Sequence, residues 1–184
     1  MDSHVLTHMP RLRHLLCCLA AMLPAPQHAA ETARPAAEVR DAVVFNILSF
    51  VDWPPPQQVQ PELRLCVVGD STDRQMLADL ADRKVRQQRV LIVHPGRDFT
   101  ELQRCQAVFV PGDGAHLLPG IAAGTRSTPV LVIAENEQSL QRGATVTLSF
   151  IAGRAVLGVN TAAARAANLA ISSKLLRLAR TVVD

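Results

Sequence analysis

The sequence predicts an α/β domain: a mostly parallel sheet with helices on both faces, followed by a C-terminal hairpin and helices. Three observations predict it. Four short runs, 63–68, 90–93, 107–110 and 130–133, are apolar almost throughout, as strands covered on both sides must be. Helical patterns separate these runs, the alternation that a parallel sheet requires. Thr145–Phe150 then alternates with period two, and Ala152-Gly153-Arg154 turns the chain back into Ala155–Val159. That pattern predicts a hairpin with one wetter face.

Composition narrows the class. The chain has 184 residues, 19 Lys+Arg against 16 Asp+Glu, and 48% hydrophobic residues. Such a length suits one domain. The net charge of +3 is spread along the chain, so nothing points to nucleic acid. Apolar content is too high for disorder, and no run reaches the roughly 18 apolar residues of a membrane span.

The first element is an address. Arg11 and Arg13 precede the apolar run Leu15–Leu23, which Pro24 closes. Nine apolar residues fit a secretory h-region and are too few to cross a bilayer. Ala29 and Ala30 supply small residues near a cleavage point, and Met9 is a plausible alternative start to Met1. A signal peptide over 1–30 predicts export to the periplasm. Pro24, Pro26 and Pro35 argue against the alternative, a core helix at the N-terminus. The mature chain keeps only His94 and His116, and only Cys66 and Cys105. That even pair lies in a compartment permitting disulfides; two buried free thiols are the other reading.

Residues 31–38 are Ala- and Pro-rich and predict a flexible, extended lead-in to a single domain over 39–184. Val43, Val44, Ile47, Leu48 and Phe50-Val51 recur at helical spacing. Trp53-Pro54-Pro55-Pro56 stops that helix. After the first strand, Asp70 to Asp73 offer caps for a helix over about 74–82. Short helices are expected over about 99–104 and 117–123. Asn160 caps an Ala-rich helix that Asn168 breaks, and Ser172 or Ser173 caps a last helix through Val182. Its apolar stripe is Leu175, Leu176, Leu178 and Ala179, with Lys174, Arg177 and Arg180 outside.

Few residues fall in a pattern that carries chemistry. Gly69 lacks the further glycines of a dinucleotide-binding turn. Gly112-Asp113-Gly114 could cradle an anion but reads better as a plain turn. Ser149 has no glycine elbow. Two histidines 22 positions apart make no zinc pattern. Asp52, Asp70, Asp73, Glu135 and Glu137 fall at loop or cap positions, where solvation explains them better than acid–base catalysis. No catalytic residue, metal site or cofactor is predicted; the protein is not expected to be an enzyme. Trp53, the sole tryptophan, is either an exposed anchor for a partner or ligand or a ring packed over the end of the first helix.

Four segments together resemble the YfiR-like periplasmic proteins. Phe45-Asn46-Ile47-Leu48-Ser49-Phe50-Val51-Asp52-Trp53-Pro54 is similar to their N-terminal Y-N-F-x-x-F-[VT]-[ED]-W-P segment. Leu63–Gly69 resembles their first strand, and Cys105-Gln106-Ala107-Val108-Phe109-Val110 their C-H-[IV]-[LV]-[FY]-[IV] strand. Asn160 through Ala179, with Ile171-Ser172-Ser173-Lys174-Leu175-Leu176, resembles the most specific, C-terminal signature. Phe45 stands where a tyrosine is usual, and Gln106 replaces a histidine.

This resemblance implies a small, non-catalytic α/β domain in the periplasm, often dimeric. It implies repression of an inner-membrane diguanylate cyclase of the YfiN type through that protein's periplasmic portion, and so control of cyclic di-GMP signalling and biofilm formation. A YfiB-type OmpA-like outer-membrane lipoprotein would relieve the repression. Cys66 and Cys105 stand at the positions of a disulfide thought to tune such systems. Asn46, Asp52 and Trp53 are candidate contacts for a partner or ligand. The alternative is a periplasmic module that senses a small molecule near Gly69–Thr72 and Gly112–Gly114, acting on another envelope receptor such as a sensor kinase.

Overall fold

The computed structural model describes residues 28–69, 75–96 and 99–184, with side chains from residue 36 onward. In chain order the elements are α1 (His28–Ser49), β1 (Val51–Asp52), β2 (Glu62–Val67), β3 (Lys84–Val85), β4 (Gln88–Val93) and β5 (Ala107–Val110). There follow α2 (Leu118–Gly124), β6 (Leu131–Glu135), β7 (Val146–Ile151), β8 (Arg154–Asn160) and α3 (Thr161–Ala166). The chain closes with β9 (Ala170–Ile171), α4 (Ser173–Leu178) and β10 (Ala179–Val183).

Eight strands form one sheet in the order β10-β8-β7-β6-β5-β2-β4-β3. The five from β7 to β4 run parallel, while β8 returns antiparallel to β7. Strand alternation divides the core between the two faces. Leu63, Leu65, Val67, Phe109, Leu131 and Ile133 pack toward Val44, Ile47 and Leu48 of α1. Cys66, Val68, Val108, Val110 and Val132 face the opposite way, onto Leu118 and Ile121 of α2. Burial on both faces is why these strands read as continuous apolar runs.

The structure departs from the sequence expectations at three places. The helical backbone begins at His28, so residues 31–38 are helix rather than an extended lead-in. Five alanines among residues 29–37 supply the propensity for it. The helix expected over 74–82 is, in its described part, a turn and a short 3-10 segment at Ala78–Leu80, because Leu77 adopts a left-handed conformation at φ 62°. The last helix ends at Leu178 instead of Val182. Ala179–Val183 instead pairs parallel with β8, Val182 opposite Val159 and Val183 opposite Asn160. The β-branched run Thr181-Val182-Val183 suits a strand, and the open edge of β8 gives its main-chain groups partners. The signal segment lies almost wholly outside the described residues, as do the caps expected at Asp70–Asp73.

Local capping follows the sequence closely. The Asn160 side chain accepts a hydrogen bond from the Ala163 N–H at 2.8 Å and starts α3. Asn168, at φ 55°, takes the left-handed conformation that breaks it. Ser172 Oγ accepts from the Leu175 N–H at 3.3 Å and starts α4.

Candidate functional site

The four segments of the sequence resemblance converge. Val51 and Asp52 of β1 pair antiparallel with Ile171 and Ala170 of β9, and the Ser172 N–H donates to the Phe50 carbonyl at 3.0 Å. The N-terminal and C-terminal segments are thereby sewn together. Trp53 follows at once and is buried, 4% exposed. Its indole N–H donates to the Gln106 carbonyl at 2.9 Å. Trp53 is therefore not an exposed anchor: its ring belongs to the core around α1.

Gln106 is itself buried and works with both backbone and side chain. Its amide oxygen accepts from the Arg64 N–H at 2.8 Å, and its main-chain N–H donates to the Arg64 carbonyl at 3.0 Å. The neighbouring Cys105 is joined to Cys66 in a disulfide with Cα atoms 6.0 Å apart. Second and third segments are thus tied three times over a few residues. Sequence reading noted Gln106 only as a missing imidazole.

The other two candidate contacts are accessible. Asp52 is about half exposed and ion-paired with Arg86. Asn46 is exposed on α1, at the edge of an apolar groove of about 200 Å³. Val43 of α1, Phe50 just after it, Leu157 of β8, and Leu175 and Leu178 of α4 line it. Leu178 is 58% exposed, and the Lys174 ammonium stands 4.8 Å from the Phe50 ring centroid. Nearby at the β7–β8 hairpin, Phe150 and Ile151 are also exposed. Apolar surface grouped in this way marks interaction sites. The groove was not legible in the sequence, since it depends on α4 ending early and lying beside β8.

Gly112 and Gly114, at the C-terminal end of β5, form no open anion cradle among the described residues. The Gly112 N–H donates to Glu135 Oε2 at 3.0 Å, and Glu135 Oε1 accepts from Arg40 Nε at 2.7 Å. The chain's own carboxylate takes that donor. A Cβ on Gly114 would lie 2.8 Å from the Val68 carbonyl oxygen, so this glycine permits close packing. Among the described residues no three His, Cys, Asp or Glu side chains are grouped to hold a metal, and no helix is long and apolar enough to cross a membrane.

No curated protein matches the chain. Among solved structures it is similar to a conserved domain protein from Vibrio cholerae O1 biovar El Tor. That likeness has 14% identity and a TM-score of 0.59, covering 79% of this chain and 60% of that one. It is also similar to an ABC domain from Streptococcus pneumonia, in complex with L-Trp, at 12% identity and a TM-score of 0.54, covering 76% and 59%. The chain spans about three fifths of either protein, and such identities speak for the α/β fold alone. The YfiR/HmsC-like family model (DUF4154) matches residues 37–180. That stretch holds all four converging segments, and the chain belongs to the YfiR/HmsC-like family.

Proposed function

We propose that the protein is a periplasmic regulator that represses an inner-membrane diguanylate cyclase by binding its periplasmic domain, and so lowers cyclic di-GMP and restrains biofilm formation. The family match over residues 37–180 carries this reading; such a family is consistent with regulation of cyclic di-GMP signalling rather than with enzyme activity. The apolar groove beside Asn46 and Leu178 is the surface on which the cyclase would dock.

Repression then works as a population shift. A protein that binds only the inactive cyclase lowers output by its differential affinity for the two states. Roughly 80-fold tighter binding to the inactive form, about 2.6 kcal/mol, would move a cyclase from mostly active to mostly inactive. A YfiB-type outer-membrane lipoprotein would relieve repression by competing for the regulator, and homodimerisation would alter how much of it is available. The Cys66–Cys105 disulfide would tune the state of the regulator. Equal repression by wild type and the Cys66→Ala/Cys105→Ala variant, at equal protein levels, would remove redox tuning from the account.

Titration of the purified mature chain with the periplasmic domain of a YfiN-type cyclase tests the binding step. Saturable binding that weakens at least tenfold in Leu178→Glu, with the unfolding midpoint unchanged, is expected. Absence of binding by the wild type would overturn the reading.

A further inference from the structure

The face of the sheet opposite α1 carries a second feature, at the N-terminal ends of the parallel strands. A cavity of about 350 Å³ opens there, with Cys105 in its wall beside Gln57, Arg64, Gln103, Arg104 and Gln106. Its volume falls within the range of small-molecule sites. Arg64 precedes Cys66 by two residues on β2, so alternation places it on the disulfide side of the sheet.

Arg64 is unusual among the basic residues. Of the described lysines and arginines, only Arg40 and Arg64 are partly buried; the others are exposed. Arg40 is paired with Glu135. The Arg64 side chain has no hydrogen bond or ion pair to any described residue, and its Nε is buried without a partner. The nearby carboxylates are engaged elsewhere: Glu62 with Arg89 and Glu101 with Arg104.

A second orphan lies in the same wall. Gln57 Oε1 is buried and unpartnered, so two of the three such side-chain atoms among the described residues belong to this one cavity. A buried donor on a cation and a buried acceptor left together call for an outside partner. The loop that carries Gln57 is held in place, since Gln88 Nε2 donates to the carbonyls of Gln57 at 2.8 Å and Gln60 at 3.0 Å.

We propose that this cavity binds a small hydroxycarboxylate. Its carboxylate accepts from the Arg64 guanidinium, which suits that group's planar fork, and its hydroxyl donates to Gln57 Oε1. Arg104, on the rim, adds positive potential but is already paired. The site is separate from the proposed cyclase groove, so either can fail without the other.

The test is amide NMR of the uniformly ¹⁵N-labelled mature chain, titrated with sodium lactate and sodium glycerate, with propionate and chloride as controls. Saturable shifts at Arg64, Cys105 and Gln106 are expected for the hydroxycarboxylates. Propionate should bind several-fold more weakly and chloride should produce no saturable shift. Arg64→Gln should weaken binding at least tenfold, and Arg64→Lys, which keeps the charge without the fork, by several-fold. The exposed Arg177→Gln should leave it unchanged. Failure of both hydroxycarboxylates to saturate would overturn the proposal, as would equal shifts from chloride or full binding by a folded Arg64→Gln protein. Should Arg64→Gln not fold, full binding by Arg64→Lys would do the same.

Discussion

The indole N–H of Trp53 donates to the main-chain carbonyl of Gln106 at 2.9 Å, across 53 positions of sequence. That carbonyl also accepts from the Leu131 N–H at 2.9 Å, so one oxygen ties the residue that follows β1 to the start of β6. Trp53→Phe removes one of its two donors and some packing volume. The expected cost is about 1–2 kcal/mol. Gln106→Ala, which leaves the Arg64 N–H without its side-chain acceptor, should cost about 1–3 kcal/mol. Urea unfolding of the two variants checks both figures; an unchanged midpoint in either would contradict the tie.

The disulfide closes a loop with a sequence separation of 39. In the chain-entropy model such a loop contributes about 4 kcal/mol. Denaturant unfolding with and without reductant should show a loss of that order, reproduced by Cys66→Ala/Cys105→Ala. Reductant should not affect the double variant.

Two glycines in one turn should respond differently to the same substitution. A Cβ on Gly114 would meet the Val68 carbonyl oxygen at 2.8 Å and the Gly69 Cα at 3.0 Å, both backbone atoms. Gly114→Ala must therefore move main chain and should cost about 1–3 kcal/mol. At Gly112 the nearest atom is Glu135 Oε2 at 3.8 Å, an ordinary contact. Gly112→Ala should leave the thermal midpoint within a degree or two of wild type.

Asp41 on α1 supplies a pH dependence. The residue is 8% exposed, and burial raises its carboxyl to about 6, against the pull of Arg40 and Arg83 and with a further push from Asp79. The folded state thus prefers the protonated acid. Its contribution to stability is full below the ordinary carboxylate range near 4 and is lost as pH rises through about 6. Asp41→Asn should flatten the stability profile between pH 4 and 6 and raise stability at pH 7. The gain should be on the order of 1–2 kcal/mol after allowing for solvent screening. A variant with the wild-type pH profile would rule Asp41 out as its source.

The sheet interior was legible because burial on both faces leaves a simple trace. Ala107–Val110 is a strand as the apolar run predicts, and β7 and β8 turn where Ala152-Gly153-Arg154 predicts. Legibility failed where a distant partner decides the local structure. Ala179–Val183 carries part of a helical stripe yet forms a strand, because β8 offers it an edge. The site was less legible still. Trp53 and Cys66–Cys105 could be singled out, but whether the ring is buried and the thiols joined depends on long-range contacts. Arg64 interrupts an apolar strand run, a signal visible in the sequence. Its lack of a described partner is visible only in three dimensions.

Cellular cyclic di-GMP in a strain deleted for this gene tests the regulatory account most directly. Re-expression of wild type and of Leu178→Glu at equal levels completes the comparison. The account predicts a rise on deletion, reversal by the wild type, and no reversal by the groove variant. An unchanged level on deletion, or full reversal by Leu178→Glu, would contradict repression through that groove.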